Sequence, residues 1–193
     1  MSEPHRFVGV LLAAGKGARF DPAGVQNKLL QNLPEGELVV SASARHLLAA
    51  TAEVHAVVRP AAERVKVALE ALGCSVSVCP DAEQGMGASL AYALRSVSDA
   101  DGWVIALGDM PYVRPATITA LMRAVQAGAD IAVPVCDGRR GNPVAFSRRH
   151  LDQLLASKGD QGARSLLQTQ PVVEVVLNDR GIFRDIDVPG DLG

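Results

Sequence analysis

The chain has 193 residues and a formal net charge of −2, from 19 basic and 21 acidic side chains. That balance offers no electrostatic footprint for nucleic acid or an anionic membrane surface. Hydrophobic residues at 48% and charged residues at 21% mark globular composition, and aromatics at 4% argue against a base-stacking platform for single strands. The length suits one domain over residues 1–193, and a chain of this size buries roughly 70% of its unfolded surface without a disulfide or metal staple.

The elements are expected in this order. Residues 7–13 read as a first, buried strand. Glu3 and a single arginine precede this run, so it does not read as a signal peptide, and a cytoplasmic location is expected. No apolar stretch approaches the ~20 residues of a membrane span. Residues 41–51 read as a helix with Ser41 as its cap. A strand over 54–59 is stopped by Pro60, and a helix over 61–72 by Gly73. A short strand at 75–78, a helix at 86–97 and a buried strand at 103–107 follow. A helix over 115–127 has proline in its first turn, and a strand runs over 131–135. This alternation predicts an α/β fold: a mostly parallel sheet covered by helices on both faces. Beyond residue 135 the pattern is mixed. Strands at 144–146 and 172–177, helices at 148–156 and 163–167, and one more strand at 182–186 predict a small antiparallel addition.

Cys74, Cys79 and Cys136 form no C-x-x-C pair and read as buried hydrophobes in a reducing compartment. His5, His46, His55 and His150 are scattered, without metal-ligand spacing, and are expected at the surface or at helix ends.

In sheets of this kind ligands bind beyond the carboxyl ends of the strands, near a reversal of strand order. Leu12-Ala13-Ala14-Gly15-Lys16-Gly17-Ala18-Arg19-Phe20 follows the first strand. Gly15 and Gly17 let backbone N–H groups turn toward an anion, and Lys16, Arg19 and Lys28 add positive charge. It is neither a P-loop nor a dinucleotide fingerprint, since the third glycine position is Phe20. The competing reading is a glycine-rich turn with exposed basic residues. Gly108-Asp109-Met110-Pro111 follows the buried strand at 103–107. A carboxylate there suits Mg²⁺, which takes one or two protein oxygens and leaves the rest to phosphates and water. The alternative is a turn aspartate before a proline. Near the C-terminus, extended backbone places Asp185 and Asp187 on one side, where either could complete a metal site or simply form a solvated acidic end.

Together these segments resemble the MobA-like nucleotidyltransferases, and within them the molybdenum cofactor cytidylyltransferases. The resemblance spans nearly the whole chain. It rests on the 12–20 segment, Asn27-Lys28-Leu29-Leu30, Gly85-Met86-Gly87-Ala88-Ser89-Leu90, Gly108-Asp109-Met110-Pro111, Gly141-Asn142-Pro143-Val144-x-Phe146, Gly159-Asp160-x-Gly162-Ala163-Arg164 and Asp185-Ile186-Asp187-x-Pro189-x-Asp191-Leu192. It implies a Rossmann-like, glycosyltransferase-A-type three-layer sandwich. It implies transfer of a nucleoside monophosphate from a triphosphate to a phosphorylated acceptor, with pyrophosphate released. Arg19, Lys28 and Asp109 would be catalytic. Leu12, Ala13, Ala14, Gly15, Lys16, Gly17, Gly85 and Ser89 would bind nucleotide. Asp109 with Asp187, or Asp185 in its place, would hold Mg²⁺ or Mn²⁺. Gly141, Asn142, Asp160 and Arg164 would meet a molybdopterin-type acceptor. CTP is favoured over GTP, because Leu-Ala-Ala-Gly resembles the cytidylyl branch and the Ala14 methyl narrows the base pocket. Other phosphorylated acceptors, an accessory protein handing cofactor to a molybdoenzyme and, least favoured, an oxidoreductase stay open.

Overall fold

The computed structural model describes residues 6–159 and 162–193. Strand β1 (Phe7–Ala13) shows why a mostly apolar run makes a strand here. Its odd positions Phe7, Leu11 and Ala13 enter one hydrophobic cluster, and its even positions Val8 and Val10 enter another. Strand pleating sends alternate side chains to opposite faces, so a strand covered on both sides must be apolar throughout.

Helices α1 (Val39–Leu48), α2 (Glu63–Glu70) and α4 (Pro115–Gln126) supply Leu47, Leu69 and Leu121 to the first cluster. Helices α3 (Met86–Ser96), α5 (Leu151–Leu155) and α6 (Arg164–Thr169) supply Leu94, Leu154 and Leu166 to the second. The result is the expected three-layer α/β sandwich. At Gly9 the α1 helix comes so close that an added Cβ would stand 2.6 Å from Leu47 Cγ.

The remaining strands are β2 (Glu53–Val58), β3 (Ser75–Val78), β4 (Gly102–Leu107), β5 (Ile131–Cys136), β6 (Arg139–Arg140), β7 (Val144–Ser147) and β8 (Val173–Val176). The eight-stranded sheet runs β3-β2-β1-β4-β7-β5-β6, with β8 on β5. β1 pairs in parallel with both β2 and β4, so the chain order reverses between β1 and β4. β7 is the antiparallel addition: it lies between β4 and β5 and runs against both. Asp137 and Gly138, both at positive φ, turn β5 into β6, the two-residue hairpin geometry that matches strand twist.

Three expectations need correction. Ser41 does not cap α1; the helix begins after Leu38 with no side-chain cap. The Val39 N–H is instead taken by the Gln31 carbonyl at 3.0 Å, a tertiary contact that fixes the start earlier than local chemistry does. Residues 182–186 form no strand. Arg180–Phe183 is a 3-10 turn opened by the Asp179 side chain. The backbone groups that follow go to separate partners, with Ile182 O accepting from Asn142 N and Ile186 N donating to Asp109 O, so no ladder forms. His55 is buried within β2, neither at the surface nor at a helix end, whereas His150 is buried at the helix end that opens α5, as expected. His55 Nε2 pairs with Ser77 Oγ at 3.0 Å, and His150 Nδ1 with Gln153 Oε1 at 2.6 Å. His5 and Asp160 lie outside the described residues. Among the described residues no helix is long and apolar enough to cross a membrane.

Candidate active site

The switch between β1 and β4 places two loops side by side. Gly108 N donates to Leu12 O at 2.9 Å, carrying the β1–β4 ladder one step past the strands. Ser43 of α1 donates its hydroxyl to Gly108 O at 3.0 Å and locks the turn from below. The glycine turn leaves β1 and Asp109 leaves β4. Between them opens a cavity of about 630 Å³, lined by Ala14 through Arg19, Lys28, Gly85, Met86, Ser89, Asp109 and Asp187. That volume lies within the usual ~300–1,000 Å³ of a small-molecule site.

Gly17 stands at φ +64°, with an added Cβ 3.4 Å from Lys28 Cγ, so the turn needs glycine there for conformation and sits against the lysine stem. Phe20 N and Asp21 N both donate to Gly17 O. Asp21 closes the next turn on itself: Oδ2 accepts from Gln26 N at 2.6 Å and Oδ1 from Ala23 N at 2.9 Å. These N–H groups, that of Gln26 foremost, hold its carboxyl below the ordinary range. Asn27 then starts a 3-10 turn over Lys28–Leu30 by accepting Leu29 N at 3.0 Å, which turns Lys28 inward.

Lys28 is where the charges meet. Its Nζ lies 2.5 Å from Asp109 Oδ2 and 3.2 Å from Asp187 Oδ1. Arg19 Nη1 forms an ion pair with the other oxygen, Asp187 Oδ2, at 2.6 Å. The two cations differ in environment: the Lys28 side chain is 10% exposed and that of Arg19 78%. The arginine contact is therefore a screened surface pair and the lysine contacts are not. Lys16 leans across the mouth to Glu83, 3.2 Å away.

The C-terminal segment arrives from across the sheet. Ile186 N bonds Asp109 O at 2.9 Å, and Asp191 Oδ2 accepts from both Asp187 N and Val188 N at 2.8 Å. Those two N–H groups, Val188 first, keep the Asp191 carboxyl below its ordinary range. Asp185 is pushed above it, first by burial, then by a hydrogen bond to the Asp187 carboxyl and the charges of Asp187 and Asp109. Among the described residues no group of three or more histidine, cysteine or carboxylate side chains could hold a metal alone. The pair Asp109–Asp187 nevertheless fits a hard divalent cation that takes its other oxygens from phosphates, and the cation already between them is Lys28.

All of the expected nucleotide-contacting residues line this cavity, as do Arg19, Lys28, Asp109 and Asp187; Asp185, Gly141, Asn142 and Arg164 do not. Gly141 is packed shut, an added Cβ falling 2.5 Å from Ile182 O. Asn142 and Pro143 border a space of about 10 Å³ beside His46 and Ser43. Sequence reasoning missed Glu83 and the bracing by Asp191. Only the four-residue spacing of Asp187 and Asp191 signalled the latter.

Residues 9–175 match the MobA-like NTP transferase domain. The chain belongs to this family. It is 34% identical to purine catabolism protein PucB of Bacillus subtilis, over 98% of this chain and 95% of PucB. The crystal structure of Rv0371c from Mycobacterium tuberculosis superposes with a TM-score of 0.85 at 30% identity, covering 98% of this chain and 96% of that one. A manganese complex of Rv0371c matches at TM-score 0.80 and 29% identity, covering 96% and 95%. Molybdopterin-guanine dinucleotide biosynthesis protein A from Archaeoglobus fulgidus shares the fold at TM-score 0.67 and 20% identity, covering 96% and 94%. The family's chemistry is nucleotidyl transfer, and the cavity of this chain lies at the carboxyl ends of β1 and β4.

Proposed function

We propose that this MobA-like protein moves CMP from CTP onto the phosphate of a molybdopterin-type cofactor. The observation that carries the reading is the facing of a cationic glycine turn and the Asp109–Asp187 pair across one cavity of about 630 Å³. A phosphate acceptor is already anionic at neutral pH, so no general base is needed. Its oxygen forms a bond to the α-phosphorus as the bond from that phosphorus to the bridging oxygen breaks, and pyrophosphate carries the electron pair away. The difficulty is charge and alignment, which positioned cations and N–H groups solve. Fixing the reactants in line contributes ~7–11 kcal/mol.

Backbone N–H groups of the 15–17 turn, with Lys16 and Arg19, hold the phosphates. Lys28 supports the charge that develops on departing pyrophosphate. Gly85 and Ser89, at the start of α3, border the base and ribose. Mg²⁺, or Mn²⁺ in its place, would be held by Asp109 and Asp187, with Asp185 as the alternative second carboxylate, and supplies charge at the phosphoryl oxygens. The Ala14 methyl disfavours a purine; a steric difference of that size is worth ~1–3 kcal/mol, enough to bias base choice without fixing it. Arg164, at the start of α6, is the acceptor-side cation, and a molybdoenzyme is the receiver of the product.

The test is pyrophosphate release from CTP, GTP, ATP and UTP with Mg²⁺ against molybdopterin and other phosphorylated acceptors. CTP with molybdopterin is expected to turn over fastest. A GTP preference would overturn the base assignment, and faster turnover of another acceptor would overturn the acceptor.

A further inference from the structure

Both carboxylates proposed to hold the metal are already paired with side-chain cations. Lys28 Nζ bridges Asp109 Oδ2 and Asp187 Oδ1, and Arg19 takes Asp187 Oδ2. The Lys28 side chain is 10% exposed, and its stem lies against Gly17, whose added Cβ would stand 3.4 Å from Lys28 Cγ. The ammonium therefore occupies the position between the carboxylates from which a divalent cation would use both. A metal entering there meets a like charge at contact distance, and Lys28 gives up two ion pairs if it withdraws with no other anion to accept it.

The anion at hand is the triphosphate. The 15–17 turn that would receive it is the same turn the lysine stem packs on, so a short swing of the terminal methylenes carries Nζ from carboxylate to phosphate. We infer that Lys28 is an internal counter-ion which excludes divalent metal from the Asp109–Asp187 pair until nucleotide draws it away, coupling the two binding events. This rests on the metal reading above. It makes Lys28 a positioning residue for the metal in addition to its contact with the phosphates. By linkage, what nucleotide does for metal affinity, metal must do for nucleotide affinity.

The experiment measures binding of Mn²⁺ alone, by electron paramagnetic resonance of the free ion, to wild type, Lys28→Met and Lys16→Met. Lys16 removes the same unit of charge from the cavity mouth but is paired with Glu83, so it controls for net charge. Lys28→Met is expected to bind Mn²⁺ ~tenfold more tightly than wild type, with Lys16→Met unchanged. The α,β-methylene analogue of CTP is expected to tighten Mn²⁺ binding in wild type and to lose most of that effect in Lys28→Met. Lys28→Gln serves if the methionine variant does not fold. Equal Mn²⁺ affinity in wild type and both Lys28 variants, or an equal gain in Lys16→Met, overturns the inference. The metal reading fails separately: adding Asp109→Asn to Lys28→Met must abolish the tight Mn²⁺ site, and if it does not, Asp109 is no ligand.

Discussion

The backbone N–H of Ile186 reaches the carbonyl of Asp109 across 77 positions of sequence, at 2.9 Å. One hydrogen bond thus ties the C-terminal segment to the end of β4. It fixes Asp187 beside Asp109, and both side chains then share the ammonium of Lys28. The charged centre of the site is assembled from three separate parts of the chain, and its accuracy depends on how firmly the last part is held.

Asp191 is what holds it. Its Oδ2 accepts both Asp187 N and Val188 N, so Asp191→Ala frees two N–H groups and lets Asp187 drift. Turnover is expected to fall ~tenfold or more, because small misplacements at a reacting centre are costly. The fall should sit in kcat, with the nucleotide KM little changed and Asp191→Asn recovering part of the loss. Unaltered kinetics in the alanine variant would show that the brace does not matter.

Asp185 gives a dependence of stability on pH. Its folded-state carboxyl titrates above the unfolded one, owing first to burial and then to Asp187 and Asp109. The folded state therefore holds the proton more tightly, and stability is lost as pH rises through that raised range. Asp185→Asn removes the penalty. Its melting temperature is expected to exceed wild type at neutral pH, with the advantage disappearing well below the ordinary carboxylate range of about 4. A lower melting temperature at neutral pH would contradict the assignment of this carboxylate as penalised by burial and by its charged neighbours.

Gly87 lies in the first turn of α3, where helix propensity alone favours alanine by ~1 kcal/mol. Here an added Cβ would stand 2.7 Å from Lys158 N and 2.8 Å from Lys158 C. Backbone cannot yield as a side-chain tip does, so Gly87→Ala is expected to destabilise by ~1–3 kcal/mol in thermal or urea melts. A stabilised variant would mean that the 158 segment does not rest on the helix.

Cys74, Cys79 and Cys136 are free and buried, and burial pushes the Cys74 thiol up to about 11. Thiolate is the reactive form, so the native protein is expected to release no chromophore from a thiol–disulfide reagent at neutral pH. All three should react after denaturation. Rapid native labelling of any of them would reveal opening of the core.

Much of the sheet was legible because β1, β4 and β5 are unbroken apolar runs that only a strand covered on both faces explains. The glycine turn and Asp109 were legible because each directly follows such a strand. Insertion of β7 between β4 and β5 was not, since β4 and β7 pair across about forty residues of sequence, which leaves no local trace. The segment after Gly181 misled for a related reason. Ile182 and Ile186 are apolar and buried, yet their backbone groups are spent on Asn142 and Asp109. Nor does any spacing announce that Lys28 lies between two carboxylates. That arrangement depends on Asn27 turning the chain and on Ile186 docking from the far end.

The self-closed turn at Asp21 has a practical corollary. Val25 projects from it, 85% exposed, between Phe20 and Lys28, which both border the cavity. A cysteine placed there would be the one accessible thiol among the described residues, so a single fluorophore could be attached without removing any native sulfur. Its emission would test for nucleotide entry from a tether that leaves the backbone of the 15–17 turn untouched.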